Sequence, residues 1–117
     1  MQGKRLDRVN QLLKEEISIL LQRELKDPRL GFVTVTAVDT SKDLRTAKVF
    51  VSVLGGEDQW TASLAALVSA KGFVRHWLRH HLDLRVTPEV VFRPDHSMEH
   101  AARIQLVLKQ LDDTRPS

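Results

Sequence analysis

From Ala47 to Val53 the chain alternates without a fault. Ala47, Val49, Val51 and Val53 are aliphatic, and Lys48, Phe50 and Ser52 stand between them. A period of two puts the four aliphatic residues on one face of a strand, and that face needs both paired neighbours and a cover. Upstream, Phe32-Val33-Thr34-Val35-Thr36-Ala37-Val38 is rich in β-branched residues, with Val33, Val35 and Ala37 alternating against Thr34 and Thr36. Asp39-Thr40-Ser41-Lys42-Asp43 between them is turn chemistry. The spacing predicts two strands, over 32–38 and 44–54, joined as an antiparallel hairpin.

The flanking segments supply the cover. Residues 5–26 carry a helical stripe of Leu6, Val9, Leu13, Ile17, Leu20 and Leu21, widened by Leu12 and Leu25. Asp27-Pro28 stops that helix, and Gly31 permits the turn into the first strand. Gly55-Gly56 ends the second strand, and Asp58 is placed to cap the next helix. Residues 59–82 read as two helices meeting at Ala70-Lys71-Gly72, because a glycine inside a helix costs about 1 kcal/mol against alanine. After Thr87-Pro88, Glu89-Val90-Val91-Phe92-Arg93 forms a short third strand ended by Pro94. A last helix is predicted from Met98 to Leu111, with Ser97 as its cap and Ala101, Ile104, Leu108 and Leu111 on one face. The expected organisation is a single domain over 1–111 and a short polar tail over 112–117. Its fold class is α+β, with a three-stranded mixed sheet carrying helices on one face.

The composition narrows the function. A chain of 117 residues can close one core without staples, and it has no cysteine, which excludes disulfides, thiolate metal sites and cysteine catalysis. No apolar run approaches the roughly 20 residues needed to cross a bilayer, and Met1-Gln2-Gly3-Lys4-Arg5 lacks an apolar secretion signal, so a cytoplasmic location is expected. A net charge of +3 favours an anionic partner without demanding one.

The cations are concentrated. Lys71, Arg75 and Arg79 stand four apart on the second of the paired helices, beside an apolar stripe assigned to Phe73, Trp77 and Leu78. Between Val68 and Pro94 there are five Lys/Arg (71, 75, 79, 85 and 93) against Asp83 and Glu89, and His76, His80 and His81 add charge on acidification. Arg5, Arg8 and Lys14 provide a second basic stretch on the first helix. Either group could be a solvated helix face or a contact to a phosphate backbone. Trp77 and Phe73 could stack bases, but their spacing with Leu78 favours core packing. Trp60, at a helix start, is open to either reading.

One motif points to an enzyme. His96-Ser97-Met98-Glu99-His100 fits the H-x-x-E-H pattern of inverted zinc peptidases. That chemistry needs both histidines on one helix face and a third ligand. Pro94 and Ser97 put His96 outside the helix, and five histidines in a short chain make a chance match easy.

The order α-β-β-α-α-β, with a further helix at the C-terminus, is that of the type II KH domain. Such domains bind single-stranded nucleic acid, and a GxxG loop between two helices clamps about four backbone nucleotides. Here five glycines include no pair three apart, and Ala70-Lys71-Gly72 occupies the junction. A KH-like domain with an Ala-x-Gly kink in place of GxxG resembles the bacterial ribosome-binding factor A family. So do Glu15-Glu16-Ile17, Leu20-Leu21-Gln22-Arg23-Glu24-Leu25, Lys26-Asp27-Pro28-Arg29-Leu30-Gly31-Phe32-Val33-Thr34-Val35-Thr36, Asp43-Leu44-Arg45-Thr46-Ala47-Lys48-Val49-Phe50-Val51-Ser52-Val53 and Val86-Thr87-Pro88-Glu89-Val90. The resemblance covers residues 5–108. His96 and His100 depart from it, as does the short tail.

The resemblance implies a non-enzymatic assembly factor with no cofactor and no catalytic or metal site. It would bind the immature small ribosomal subunit and its rRNA, near the 5′ end region of that RNA, leave before translation, and support growth at low temperature. A monomer is expected, with other assembly factors as further partners. The RNA contact would be made by Ala70, Lys71, Gly72, Arg75 and Arg79, with Arg5, Arg8, Lys14 and Arg85 as a second contact. The alternative is a protein–protein adaptor on the same fold without direct RNA contact.

Overall fold

The faultless alternation belongs to the central strand. The structure, a computed structural model, describes residues 2–113. In chain order it has α1 (Gln2–Ile19), a π-helical turn (Leu20–Glu24), β1 (Val33–Thr40), β2 (Thr46–Val53), α2 (Glu57–Ser69), α3 (Lys71–His81), β3 (Glu89–Pro94) and α4 (Ser97–Asp113). β2 pairs antiparallel with β1 and parallel with β3, giving a mixed sheet of order β1-β2-β3. Ala47, Val49, Val51 and Val53 are all buried. Leu13, Ile17 and Leu20 from the first helix, Leu67 from α2, and Val74 and Leu78 from α3 form one core cluster with Ala47, Val49 and Val51 of β2 and Val90 and Phe92 of β3.

The end of α1 differs from a plain helix. Leu25 N–H donates to Leu20 O at 3.0 Å, an i→i+5 bond, and the widened turn buries Leu20 and Leu21 in succession. Leu25 is already extended, one residue before the predicted end.

The inward phase of β1 also departs from the prediction. Val35 pairs with Val51, but Ala37, not Thr36, pairs with Phe50, so Thr36 is the extra residue of a β-bulge. Beyond it Val38 and Thr40 point inward and Ala37 is exposed. The bulged hydroxyl is used: Thr36 Oγ1 donates to Asp95 Oδ2 at 2.6 Å. Asp95 Oδ1 accepts from Ser97 N–H at 2.9 Å, so one carboxylate links the bulge to the start of α4. Ser97 is therefore the first residue of α4 and not its cap. Likewise Gly56 occupies the cap position of α2, and Asp58 lies in its first turn.

α1, α2 and α3 cover one face of the sheet, whereas α4 stands apart. No α4 residue enters the core cluster, and Ile104, Leu106, Val107 and Leu108 are each half or more exposed. α4 is tied down near its start, where Trp60 Nε1–H donates to Glu99 Oε1 at 2.9 Å and the Trp60 ring lies 4.1 Å from that of His96. Trp60 is buried there, which settles a position the sequence left open. The predicted tail begins at residue 112, but α4 continues through Asp113 and 114–117 lie outside the described residues.

Two predictions test this division. Leu78→Ala should lower unfolding stability by about 2–5 kcal/mol in urea titration, whereas Leu108→Ala should change it by no more than about 0.5 kcal/mol. Equal losses would mean that α4 packs on the core. The second concerns Asp95, whose carboxyl is held below its ordinary value of 3.8 by the hydrogen bond from Thr36 and then by those from Ser97. A depressed folded value stabilises the native state above the unfolded pKa and is lost as pH falls through the folded one. The gap in melting temperature between wild type and Asp95→Asn should therefore be widest near neutrality and close on acidification below about pH 4.

Candidate nucleic-acid interface

The joint between α2 and α3 is one residue long. Ala70 ends α2 and begins α3, with φ −89° and ψ 0°. Its N–H donates to Ala66 O at 3.0 Å, and its carbonyl accepts from Val74 N–H at 2.9 Å, so the backbone bonds pass from one helix into the next. Ala70 is buried in the core cluster, where a larger side chain would meet packed neighbours.

Ala70 carries the bend, and Gly72 does not. Gly72 lies in the first turn of α3 without a positive φ, and a Cβ built on it meets nothing within 4 Å. The fold thus places no demand for glycine at that position. Its effect is instead to leave the backbone bare at the exposed start of a helix. That start has no side-chain cap and no acidic residue in its first turn, whereas α2 begins with Glu57 and Asp58. An uncapped helix N-terminus carries free N–H groups and the positive end of the helix dipole.

The cations are placed by how α3 is seated. Val74 and Leu78 are completely buried. Residues one step round the helix, Lys71, Arg75 and Arg79, therefore lie along the edge of the buried stripe; Lys71 is half-buried and the two arginines are exposed. Arg75 Nη2 donates weakly to Thr87 O at 3.4 Å, which directs it toward the loop before β3. Lys71 and Arg79 make no ion pair or hydrogen bond among the described residues. Arg79 stands in the last turn with His80 and His81, where positive charge also complements the helix dipole.

The apolar stripe needs correction. Phe73 is exposed, and Val74 takes the inward position assigned to it, because the stripe runs Ala70-Val74-Leu78 and not Phe73-Trp77-Leu78. Trp77 is half-buried, packs against the core and stacks on His81 at 3.6 Å. Phe73 therefore lies on the outer side, three residues from the joint.

The structure brings Arg5 and Arg85 of the second group together, on a cavity of about 300 Å³ shared with Lys42. Arg8 and Lys14 lie elsewhere on α1 and do not line it. Lys42 is hidden in the sequence because its segment signals a turn. Arg29 is a further cation that periodicity does not single out: it pairs with Asp27 at 2.7 Å and donates to Ser69 Oγ at 3.2 Å, one residue before the joint. The H-x-x-E-H residues form no metal site in this arrangement. His96 precedes α4, and Glu99 is held by Trp60 and, at 3.2 Å, by His96.

The family model described as ribosome-binding factor A matches residues 5–108. The chain belongs to the ribosome-binding factor A family. It is 46% identical over 111 residues to the ribosome-binding factor A of Brevibacillus brevis, covering 95% of this chain and 92% of the relative. Identity to the Natranaerobius thermophilus protein of the same name is 50% over 112 residues, 96% of this chain and 86% of the relative. Among solved structures, the crystal structure of ribosome-binding factor A from Thermus thermophilus superposes with a TM-score of 0.68 at 30% identity, over 76% of this chain and 94% of that one. A homology model of the Thermus thermophilus factor, fitted into a cryo-EM map of its complex with the 30S subunit, gives 0.63 at 31%, over 74% and 91%. These are relatives named for binding a ribosome and not for a reaction. They agree with the observed mixed sheet and helix–kink–helix, a KH-like fold.

Because Gly72 has open space and an ordinary backbone, Gly72→Ala should stabilise the fold of this family member by up to about 1 kcal/mol. A raised melting temperature is expected. A lowered one would show that the joint requires glycine after all.

Proposed function

We propose that the protein binds the immature small ribosomal subunit through its rRNA and assists maturation without performing chemistry. The observation that carries the reading is the joint itself. An uncapped, acid-free helix start with a bare backbone at Gly72 is combined with three cations on one edge of α3. Backbone N–H groups and the helix dipole attract a phosphate, and Lys71, Arg75 and Arg79 extend that attraction along a strand. The relatives' names, and the Thermus factor's fitting into a 30S complex, support the same partner.

On this reading Ala70 sets the bend, Gly72 allows close backbone approach, and the three cations supply affinity that is independent of sequence. Specificity comes from RNA shape and ribosomal context. The proposed contact is near the 5′ end region of the small-subunit RNA, made by a cytoplasmic monomer that leaves before translation and supports growth at low temperature. One observation favours a second reading, a protein–protein adaptor: the exposed apolar side of α4 offers a surface that RNA would not need. It also suits a role for other assembly factors as partners.

Salt separates the two. Lys71, Arg75 and Arg79 changed together to alanine should weaken binding to purified small subunits at least tenfold and flatten the log–log salt dependence by roughly 2 to 3. Unchanged affinity and slope, with circular dichroism showing an intact fold, would remove this face from the interface.

A further inference from the structure

Away from the joint, three cations from distant parts of the chain line one cavity. Arg5 comes from α1, Lys42 from the β1–β2 turn and Arg85 from the loop between α3 and β3; Leu6, Leu44 and Val86 provide aliphatic wall, and Asp43 one carboxylate. None of the three cations makes an ion pair or hydrogen bond among the described residues. Their charge is therefore uncommitted, unlike that of Arg29, which Asp27 holds.

The turn that carries Lys42 is built firmly. Asp43 Oδ1 accepts from Ser41 Oγ at 2.7 Å and from Arg45 N–H at 3.1 Å, while Ser41 Oγ accepts from Thr46 N–H at 3.1 Å. The Ser41 hydroxyl, and then the Arg45 amide, hold the Asp43 carboxyl below its ordinary range, so it is ionised near neutrality. Within this lattice Leu44 takes φ 62°, a left-handed conformation uncommon for a branched side chain, and it lines the cavity.

The chemistry of the lining selects its ligand. A bare inorganic anion would use the cations but gain nothing from Leu6, Leu44 and Val86, and it would be repelled by Asp43. An ionised carboxylate only accepts hydrogen bonds. Asp43 Oδ2, without a hydrogen-bond partner among the described residues, is open to accept from a donor such as a ribose hydroxyl or a base amine. A volume of about 300 Å³ suits a ligand larger than one phosphate. A group with phosphate, hydroxyl or amine donors, and a flat apolar face is a nucleotide.

We propose that this cavity receives one unstacked nucleotide of single-stranded RNA, its phosphate on Arg5, Lys42 and Arg85, its base against Leu6, Leu44 and Val86, and a donor on Asp43 Oδ2. The proposal rests on the RNA-binding reading above and adds a second, separate point of contact on the strand. Arg75 reaches toward Thr87, adjacent to Val86 of the cavity wall, so the cationic edge of α3 leads toward it.

The test uses the full chain with methyl-labelled leucine and valine, titrated by NMR with adenosine and guanosine 5′-monophosphates, the corresponding nucleosides and inorganic phosphate. Shifts at Leu6, Leu44 and Val86 are expected with the monophosphates, well below the concentrations at which nucleoside or phosphate alone has any effect. Arg85→Ala should weaken monophosphate binding at least threefold and binding to purified small subunits by a similar factor. The triple change of Lys71, Arg75 and Arg79 should leave monophosphate binding within twofold. Absent shifts, or shifts produced equally by inorganic phosphate, would overturn the nucleotide cavity while leaving the joint's role untouched. Monophosphate binding that is lost in Arg85→Ala without any loss of subunit binding would overturn its assignment to an RNA strand. If only the triple variant fails to weaken subunit binding, the joint is refuted and the cavity stands.

Discussion

Everything in this molecule hangs on the burial of one face of β2. Three completely buried residues, Ala47, Val49 and Val51, and an almost completely buried Val53 form a flat aliphatic row. At about 1.5–3 kcal/mol for each fully buried larger aliphatic side chain, that row rewards any helix laid across it. α1 and its terminal turn answer with Leu13, Ile17 and Leu20, and α3 with Val74 and Leu78. Once Val74 and Leu78 are fixed inward, helical geometry leaves no choice about Lys71, Arg75 and Arg79, which must emerge along the rim. The cationic edge is thus a consequence of core packing, and its orientation is as rigid as the core.

The same dependence explains what could be read from sequence. β2 was legible because a central strand is ruled by one neighbour relation on each side and one buried face, so its pattern stays pure. β1, at the edge, was legible only as far as Val35. The bulge at Thr36 is fixed by Asp95, 59 residues away, and no local pattern contains that bond. The inward set changes from Val33, Val35 and Ala37 to Val33, Val35, Val38 and Thr40 for this reason. On α3 the error was of a different kind. Phe73, Trp77 and Leu78 have the spacing of an inward stripe, but so do Ala70, Val74 and Leu78. The joint at Ala70 sets the helical phase, and it favours Val74.

The candidate site divides in the same way. The joint was visible because it interrupts a helix pattern, although the interrupting residue and the bending residue proved to be different. Gly72 marks the place, while Ala70 makes the turn. The cavity of Arg5, Lys42 and Arg85 was only half visible. Its members are 37 and 43 residues apart in sequence, and Lys42 sits in a turn whose local signals account for it completely.

Net charge is a poor guide to the result. An excess of three positive charges over 117 residues is small, and many of the acids are spent elsewhere. Asp27 is occupied by Arg29, Glu57 and Asp58 serve the start of α2, and Asp95 and Glu99 hold α4. Acids committed to internal contacts cannot quench cations on another face, whereas Lys71, Arg79, Arg5, Lys42 and Arg85 have no internal partner among the described residues. The positive field is therefore made by segregation and not by excess. A polyanion meeting this surface would find fixed charge on α3 and at the cavity, with an almost neutral body behind them. Such an arrangement gives strong dependence on position and weak attraction to nucleic acid in general.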